Sequence, residues 1–294
     1  MLAMTGFDAQ SGTTADFLRR ASVEITAKQI DKIPLIASRL ATGARIYIAL
    51  IDPNDAHGQL AAAVAVRQAG LEPVPQMPAR FVHHRDDLAR RIAALTQQAG
   101  VAEMLVLGGG APQPAGDYHA AIQLLETGLF QDHGVTRIGM AGHPEGNPDI
   151  TALLGEKVLL ASLQQKQAYL NDHGLDGHIA TQFLFEAAPV VQWTRTLRAA
   201  GIALPVRVGV PGPATIKTLV KFAAMCGIGN SARFIRKQAL NITRLLTVST
   251  PDAFVADLAR ASLAEPALGI AAPHLYPFGG FDKLFDWLGP ASGR

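Results

Sequence analysis

Short runs of β-branched and aliphatic residues recur along the chain at 23–26, 45–51, 72–76, 104–107, 137–141, 178–184, 206–210 and 268–275. Between them lie longer stretches in which apolar positions return every three or four residues, at 28–41, 56–69, 86–99, 118–130, 150–171, 189–200, 214–225, 233–246 and 251–263. A short apolar run followed by an amphipathic helical run, many times over, is the pattern of parallel strands joined by helical crossovers. Eight such strands predict an α/β fold of the (β/α)8 TIM-barrel kind with an extra helix before the last strand; an open doubly wound sheet is the rival arrangement. Two helical runs close with Ala-Gly, at 69–70 and 99–100, and a third with Ala-Ala-Gly at 199–201, where glycine supplies a left-handed C-cap.

Length and composition narrow the picture. A barrel of this kind fills about 250 residues as one domain, so the 294 residues are expected to form a flexible segment over 1–20 and one catalytic domain over 21–294. Hydrophobic residues make up 49% and charged residues 17%, which supplies a large core and excludes a disordered chain. The net charge of +2 comes with Lys and Arg scattered along the sequence, so nothing points to nucleic acid or an anionic membrane, and a small polar substrate is expected. The single cysteine, Cys226, excludes an internal disulfide and a multi-cysteine metal site and fits a reducing compartment; in its helical run it reads as a small buried hydrophobe. Residues 1–20 lack a basic stretch followed by an apolar one, and no apolar run reaches the roughly 18 residues of a membrane span, so a cytoplasmic, soluble protein is expected.

A barrel builds its active site from the C-terminal ends of its strands and the loops that follow, and five segments there carry chemistry. SVEIT at 22–26 sets Glu24 in mid-strand, where alternation can aim it into the barrel mouth, or else towards a helix or a lysine. LGGGAPQP at 107–114 places Gly108, Gly109 and Gly110 after the fourth strand, where bare backbone can approach a ligand or bind an anion. Its spacing is neither a Walker A nor a Rossmann fingerprint, and a flexible loop is the equal alternative. AGHPEGNP at 141–148 gathers His143, Glu145 and Asn147 in a turn stiffened by two prolines, with no repeated histidine spacing of a metal site. IATQFLF at 179–185 ends the sixth strand in Gln182 beside Phe183 and Phe185; such an amide can donate to and accept from a heterocycle, or satisfy a neighbouring strand. VGVPGP at 208–213 leads into a helix with Lys217, Lys221 and Phe222, whose ring is either a stacking face or core.

Taken in order, these segments resemble the catalytic domain of methylenetetrahydrofolate reductases, from about residue 20 to residue 288. HPEGNP at 143–148 looks like that family's Tyr-Pro-Glu-x-His-Pro turn, and TQFLF at 181–185 looks like its Thr-Gln-Phe-Phe-Phe. Glu24, KFA at 221–223 and LYPF at 275–278 add weaker likeness. The resemblance implies an oxidoreductase of one-carbon metabolism, on the route to methionine, that interconverts 5,10-methylenetetrahydrofolate and 5-methyltetrahydrofolate with NADH or NADPH and FAD. It implies that Glu24 assists proton transfer, that Gln182, Phe185 and Phe222 bind the folate, and that Gln76, Gly108, Gly109, Gly110, His143, Glu145 and Asn147 hold the cofactor. The partners implied are small folate and nicotinamide molecules, and barrels of this kind commonly associate with copies of themselves.

The departures from the family pattern bear on the flavin. The family's Arg-Gly-Asp after the fourth strand is here Gly108-Gly109-Gly110, its Pro-His-Leu-Thr after the third is PQMP at 75–78, and its basic residues before the sixth strand have no clean counterpart in QQKQAY at 164–169. Two arrangements answer that loss: FAD held through Gln76, His143 and glycine backbone, or hydride passed directly from the nicotinamide to the folate. A folate-binding barrel without redox activity and a folate-dependent methyltransferase domain are the other functional readings.

Overall fold

The computed structural model describes residues 14–155, 157–225 and 246–289, the side chains of 149, 152, 153 and 225 excepted. Eight parallel strands follow one another along the chain: β1 (Ser22–Thr26), β2 (Arg45–Ala49), β3 (Glu72–Pro78), β4 (Glu103–Leu107), β5 (Arg137–Gly142), β6 (Asp176–Phe183), β7 (Val206–Pro211) and, after a two-stranded antiparallel ribbon of β8 (Ala214–Thr215) with β9 (Val248–Ser249), β10 (Ile270–Tyr276). They hydrogen-bond in the order β1-β10-β7-β6-β5-β4-β3-β2 and close on themselves, which makes the fold a TIM barrel. All eight lie where the alternation of apolar positions predicts them, within two residues at either end.

The helices are α1 (Ile33–Arg39), α2 (Ala56–Gln68), α3 (Arg85–Ala99), α4 (Ala121–Leu125), α5 (Leu129–Asp132), α6 (Pro148–Leu154), α7 (Lys157–Asp172), α8 (Ala187–Ala199), α9 (Ile216–Met225), α10 (Asp252–Ala264) and α11 (Phe281–Leu288). Three differ from the periodicity-based expectation. The run at 118–130 is divided between α4 and α5 at Gly128, with φ 74°, and the run at 150–171 between α6 and α7 at Gly155, with φ 77°. Glycine in the left-handed region ends a helix at once. The run at 28–41 opens with a 3-10 segment, Ala27–Lys32, before α1 starts with a proline in its first turn. Helix α11 and the β8–β9 ribbon are additions. The expected helix at 233–246 and Cys226 lie outside the described residues, as does the segment 1–13. Among the described residues no helix is long and apolar enough to cross a membrane.

The described residues form two compact units, one within 23–141 and 162–180 and the other within 14–22, 142–161 and 181–289. In the first, Tyr47, Val74, Leu105 and Ala180 pack into an apolar cluster. Two residues earlier on three of the same strands, and so on the same face, stand Arg45, Glu103 and His178. Glu103 is 1% exposed; Arg45 Nε lies 2.8 Å from its Oε2, and Arg137 Nε approaches the same oxygen at 3.0 Å. The Arg137 contact is ionic only, since that N–H points off the hydrogen-bond direction. His178 Nε2 meets the Tyr47 hydroxyl at 2.6 Å. A Cβ at Gly139 would lie 2.7 Å from the same Nε2, so this position leaves the imidazole its room only by carrying no side chain.

The second unit is tied together where β6 meets β7. The Gly209 N–H donates to Thr181 Oγ1 at 2.8 Å, the Thr181 hydroxyl donates to the Gln182 carbonyl at 2.7 Å, and the Leu184 N–H donates to the Gly209 carbonyl at 3.1 Å. The backbones come so close that a Cβ at Gly209 would stand 2.4 Å from the Gln182 carbonyl oxygen. Ser22 Oγ and His274 Nδ1, both fully buried, pair at 2.9 Å in the same unit.

Two positions in this packing have measurable consequences. Because the obstacle at Gly209 is backbone and cannot swing aside, Gly209→Ala is expected to cost about 3 kcal/mol of stability, measured by urea unfolding. Lys166, on the buried face of α7, is 7% exposed, and burial pulls its pKa down to about 8. The unfolded chain therefore binds more protons between about pH 8 and the unperturbed 10.5, so the lysine costs stability below that window and stops doing so above it. Lys166→Met should stabilise the protein by about 3 kcal/mol at neutral pH, and its advantage over wild type should shrink to nothing as the pH is raised through the window.

Candidate active site

Strand β1 alternates: Val23 and Ile25 are buried, whereas Glu24 and Thr26 are half-buried. Gln76 stands two residues beyond Val74 on β3, on the face of the apolar cluster, and its Nε2 donates to Glu24 Oε2 at 2.9 Å. That contact brings the Glu24 carboxylate to the same face, in the C-terminal half of the strands. Of the residues singled out from the sequence, Glu24 and Gln76 are thus brought together, as carboxylate and amide donor.

Strand β3 reads EPVPQMP, and its three prolines remove three ladder donors from a strand paired on both sides. Gln59, reaching from α2 and 3% exposed, supplies N–H groups there: its Nε2 donates to the carbonyls of Ile48 and Gln76, each at 2.9 Å. Gln76 is held through its backbone as well as its side chain. Nothing in the local sequence signals this role for Gln59, which sits among alanines in a helix whose apolar face it shares.

The glycine run after β4 is anchored rather than loose. The Arg80 N–H donates to the Gly108 carbonyl at 2.9 Å, its guanidinium donates to the carbonyls of Ala111 and His119 at 3.0 and 3.2 Å, and its own carbonyl accepts from the Ala115 N–H at 2.9 Å. Gly109 has φ 92° and would set a Cβ 3.1 Å from Pro78, while Gly108 and Gly110 each face open space. Backbone with room beside it, fixed at both ends, can lie against a flat or anionic ligand.

The turn after β5 is closed by the Gly146 N–H on the His143 carbonyl at 3.0 Å, and His143, Glu145 and Asn147 are all half-buried. Asn147 directly precedes Pro148 at the start of α6; its carbonyl accepts from the N–H groups of Ile150 and Thr151 at 3.1 and 2.8 Å and from the Thr151 hydroxyl at 2.9 Å. The turn is therefore locked to the helix that follows.

Gln182 is half-buried at the end of β6, directly after Thr181. Phe185 and Phe222 join one aromatic group around Phe183: Phe185 meets Phe183 edge-on at 5.8 Å, and Phe222 stacks on Phe278 at 4.1 Å with 16° between the rings. Phe278 also packs on Phe183 at 4.7 Å and on Tyr276 at 5.5 Å. Phe222 is both things the sequence left open, partly core and partly ring face. Phe278 was legible only as the tail of the last strand, because its stacking partner is more than fifty positions away. Beside this group a cavity of about 150 Å³ is lined by Phe185, Pro211, Gly212, Ile216, Leu219 and Phe254. That is half the lower bound of about 300 Å³ for a whole small-molecule site, so it takes part of a ligand at most. Among the described residues no group of three or more His, Cys, Asp or Glu is placed to hold a metal ion.

The chain is similar to dihydropteroate synthase from Thermus thermophilus, with 13% identity over 94% of this chain and 93% of that one and a TM-score of 0.48. It is similar as well to 3-dehydroquinate dehydratase from Geobacillus kaustophilus, with 13% identity over 65% of this chain and 73% of that one and a TM-score of 0.42. The family model described as methylenetetrahydrofolate reductase matches residues 53–238, more than half of the chain, including Gln76, the glycine run, the turn after β5, Gln182 and Phe222. With that match over β3 to β7, the chain belongs to the methylenetetrahydrofolate reductase family.

Proposed function

We propose that this protein interconverts 5,10-methylenetetrahydrofolate and 5-methyltetrahydrofolate by hydride transfer from NAD(P)H, with FAD as carrier. Family membership supports folate one-carbon redox chemistry. The observation that carries the finer reading is Glu24, a half-buried carboxylate at the middle of β1 that accepts from the amide of Gln76 at 2.9 Å. Such a donor fixes the direction of a carboxylate.

Opening the five-membered ring of the substrate needs a proton at N10, which leaves a cationic iminium at N5; hydride then converts the iminium to a methyl group. One proton and one hydride are consumed, and one oxidised nicotinamide is produced. Glu24 in its acid form delivers the proton, and as the carboxylate it stabilises the cation. Gln182 offers an amide donor and acceptor to the pterin edge, and Phe185 and Phe222 offer ring faces to the folate.

FAD, when bound, supplies the capacity to take hydride from one donor and give it to another acceptor. The open space beside Gly108 and Gly110 and the left-handed backbone of Gly109 fit a flat, anionic group, and these residues, with His143, Glu145 and Asn147, are the ones that would hold it.

The test is the visible spectrum of the purified protein, followed by anaerobic addition of NADH and then of the folate. A flavin spectrum that bleaches with NADH and returns with methylenetetrahydrofolate is expected, and Glu24→Gln should lower kcat by about 10²- to 10³-fold. A colourless protein that still oxidises NADH when given the folate would remove FAD and keep the reaction. A colourless, inert protein that binds folate would overturn the redox reading in favour of a binding barrel.

A further inference from the structure

We infer that Gln76 is a positioning residue for Glu24, fixing the orientation of its carboxyl group, and that it acts through Glu24 rather than by touching the cofactor; this rests on Glu24 being the acid of the proposed reaction. The chemistry of the pair sets the direction. Nε2 of a glutamine side chain can only donate, and here it donates to Glu24 Oε2 at 2.9 Å. The amide thereby holds the carboxyl group in one orientation before the substrate arrives.

The bracket behind this contact is built for rigidity. The Gln76 carbonyl accepts from Gln59 Nε2 at 2.9 Å, and the same nitrogen donates to the Ile48 carbonyl at 2.9 Å. Gln59 is 3% exposed and belongs to α2. Register pairs Glu24 with Tyr47 between β1 and β2, and Ile48 with Pro75 between β2 and β3. Three neighbouring strands and the helix packed on them therefore meet around Gln76. A residue meant to follow a mobile ligand has no need of such fixation at its own backbone, whereas one that sets the angle of a carboxyl group does.

The experiment is a double-mutant cycle on the purified full-length protein, measuring kcat and KM for methylenetetrahydrofolate with NADH in the wild type, Gln76→Met, Glu24→Gln and the double variant. Methionine keeps the length of the side chain and removes the donor. Gln76→Met is expected to lower kcat by about 10- to 100-fold with KM within about twofold, and to cause no further loss once Glu24 is glutamine. A kcat equal to wild type in Gln76→Met, while Glu24→Gln is impaired, would overturn the inference and leave the reaction standing. So would an equal loss in both backgrounds, or a raised KM with kcat unchanged, each of which marks a direct ligand contact. Full activity in Glu24→Gln would instead overturn the assignment of the acid itself, and this inference with it. Should Gln76→Met fail to fold, Gln76→Ala runs the same cycle with the same outcomes.

Discussion

A parallel sheet closed on itself turns alternate side chains of every strand towards one interior, and a charge placed there must bring its partner with it. Glu103 meets that constraint at the N-terminal end of β4. Arg45 and Arg137, from the starts of the strands β2 and β5, both reach its Oε2, at 2.8 and 3.0 Å. Removing the partners of such a carboxylate is far more harmful than replacing the whole group by apolar side chains, so the gain from this cluster is in specificity of register more than in stability. It fixes which residues of β2, β4 and β5 stand level, and with them the layer of Tyr47, Leu105 and Ala180 above.

The other inward glutamate is treated differently. Glu24 lies at the middle of β1 and is met by the amide of Gln76 at 2.9 Å. Arginine partners neutralise the carboxylate of Glu103, whereas the amide of Gln76 orients that of Glu24. The same residue type thus serves as an internal tie at the N-terminal end of β4 and, in the proposed reaction, as the acid on β1. The glutamines complete the contrast. Gln59 replaces hydrogen-bond donors that the prolines of β3 cannot give, so a strand unusually rich in proline still holds its neighbours and still presents Gln76 at a fixed angle.

Much of the fold was legible because strand alternation is a local signal: each strand is short, apolar and bounded by turn residues. The helix divisions at Gly128 and Gly155 were less so, since a glycine inside an amphipathic run does not declare whether it takes the left-handed region. Ribbon strands of two residues, such as Ala214–Thr215, carry no periodicity at all. Of the candidate residues, Gln182 and the glycine run were picked out by their places at strand ends and Glu24 as a carboxylate in mid-strand. Their partners could not be found in this way. Gln76 and Glu24 are 52 positions apart, and Thr181, one of the residues that carry the family resemblance, turns out to serve the backbone of β7 through Gly209. Pairings of this kind depend on which strands become neighbours and in what register, and local pattern says nothing about that.

The central claim is that the one-carbon unit of the folate is reduced in this barrel. The most direct measurement is the fate of that carbon: 5,10-methylenetetrahydrofolate labelled with carbon-13 in the bridging methylene, incubated anaerobically with the protein and NADH and followed by NMR. The account predicts that the methylene signal is replaced by that of an N5-methyl group in proportion to the NADH consumed. A label that stays in the methylene bridge, or leaves as formaldehyde while NADH is untouched, would contradict it.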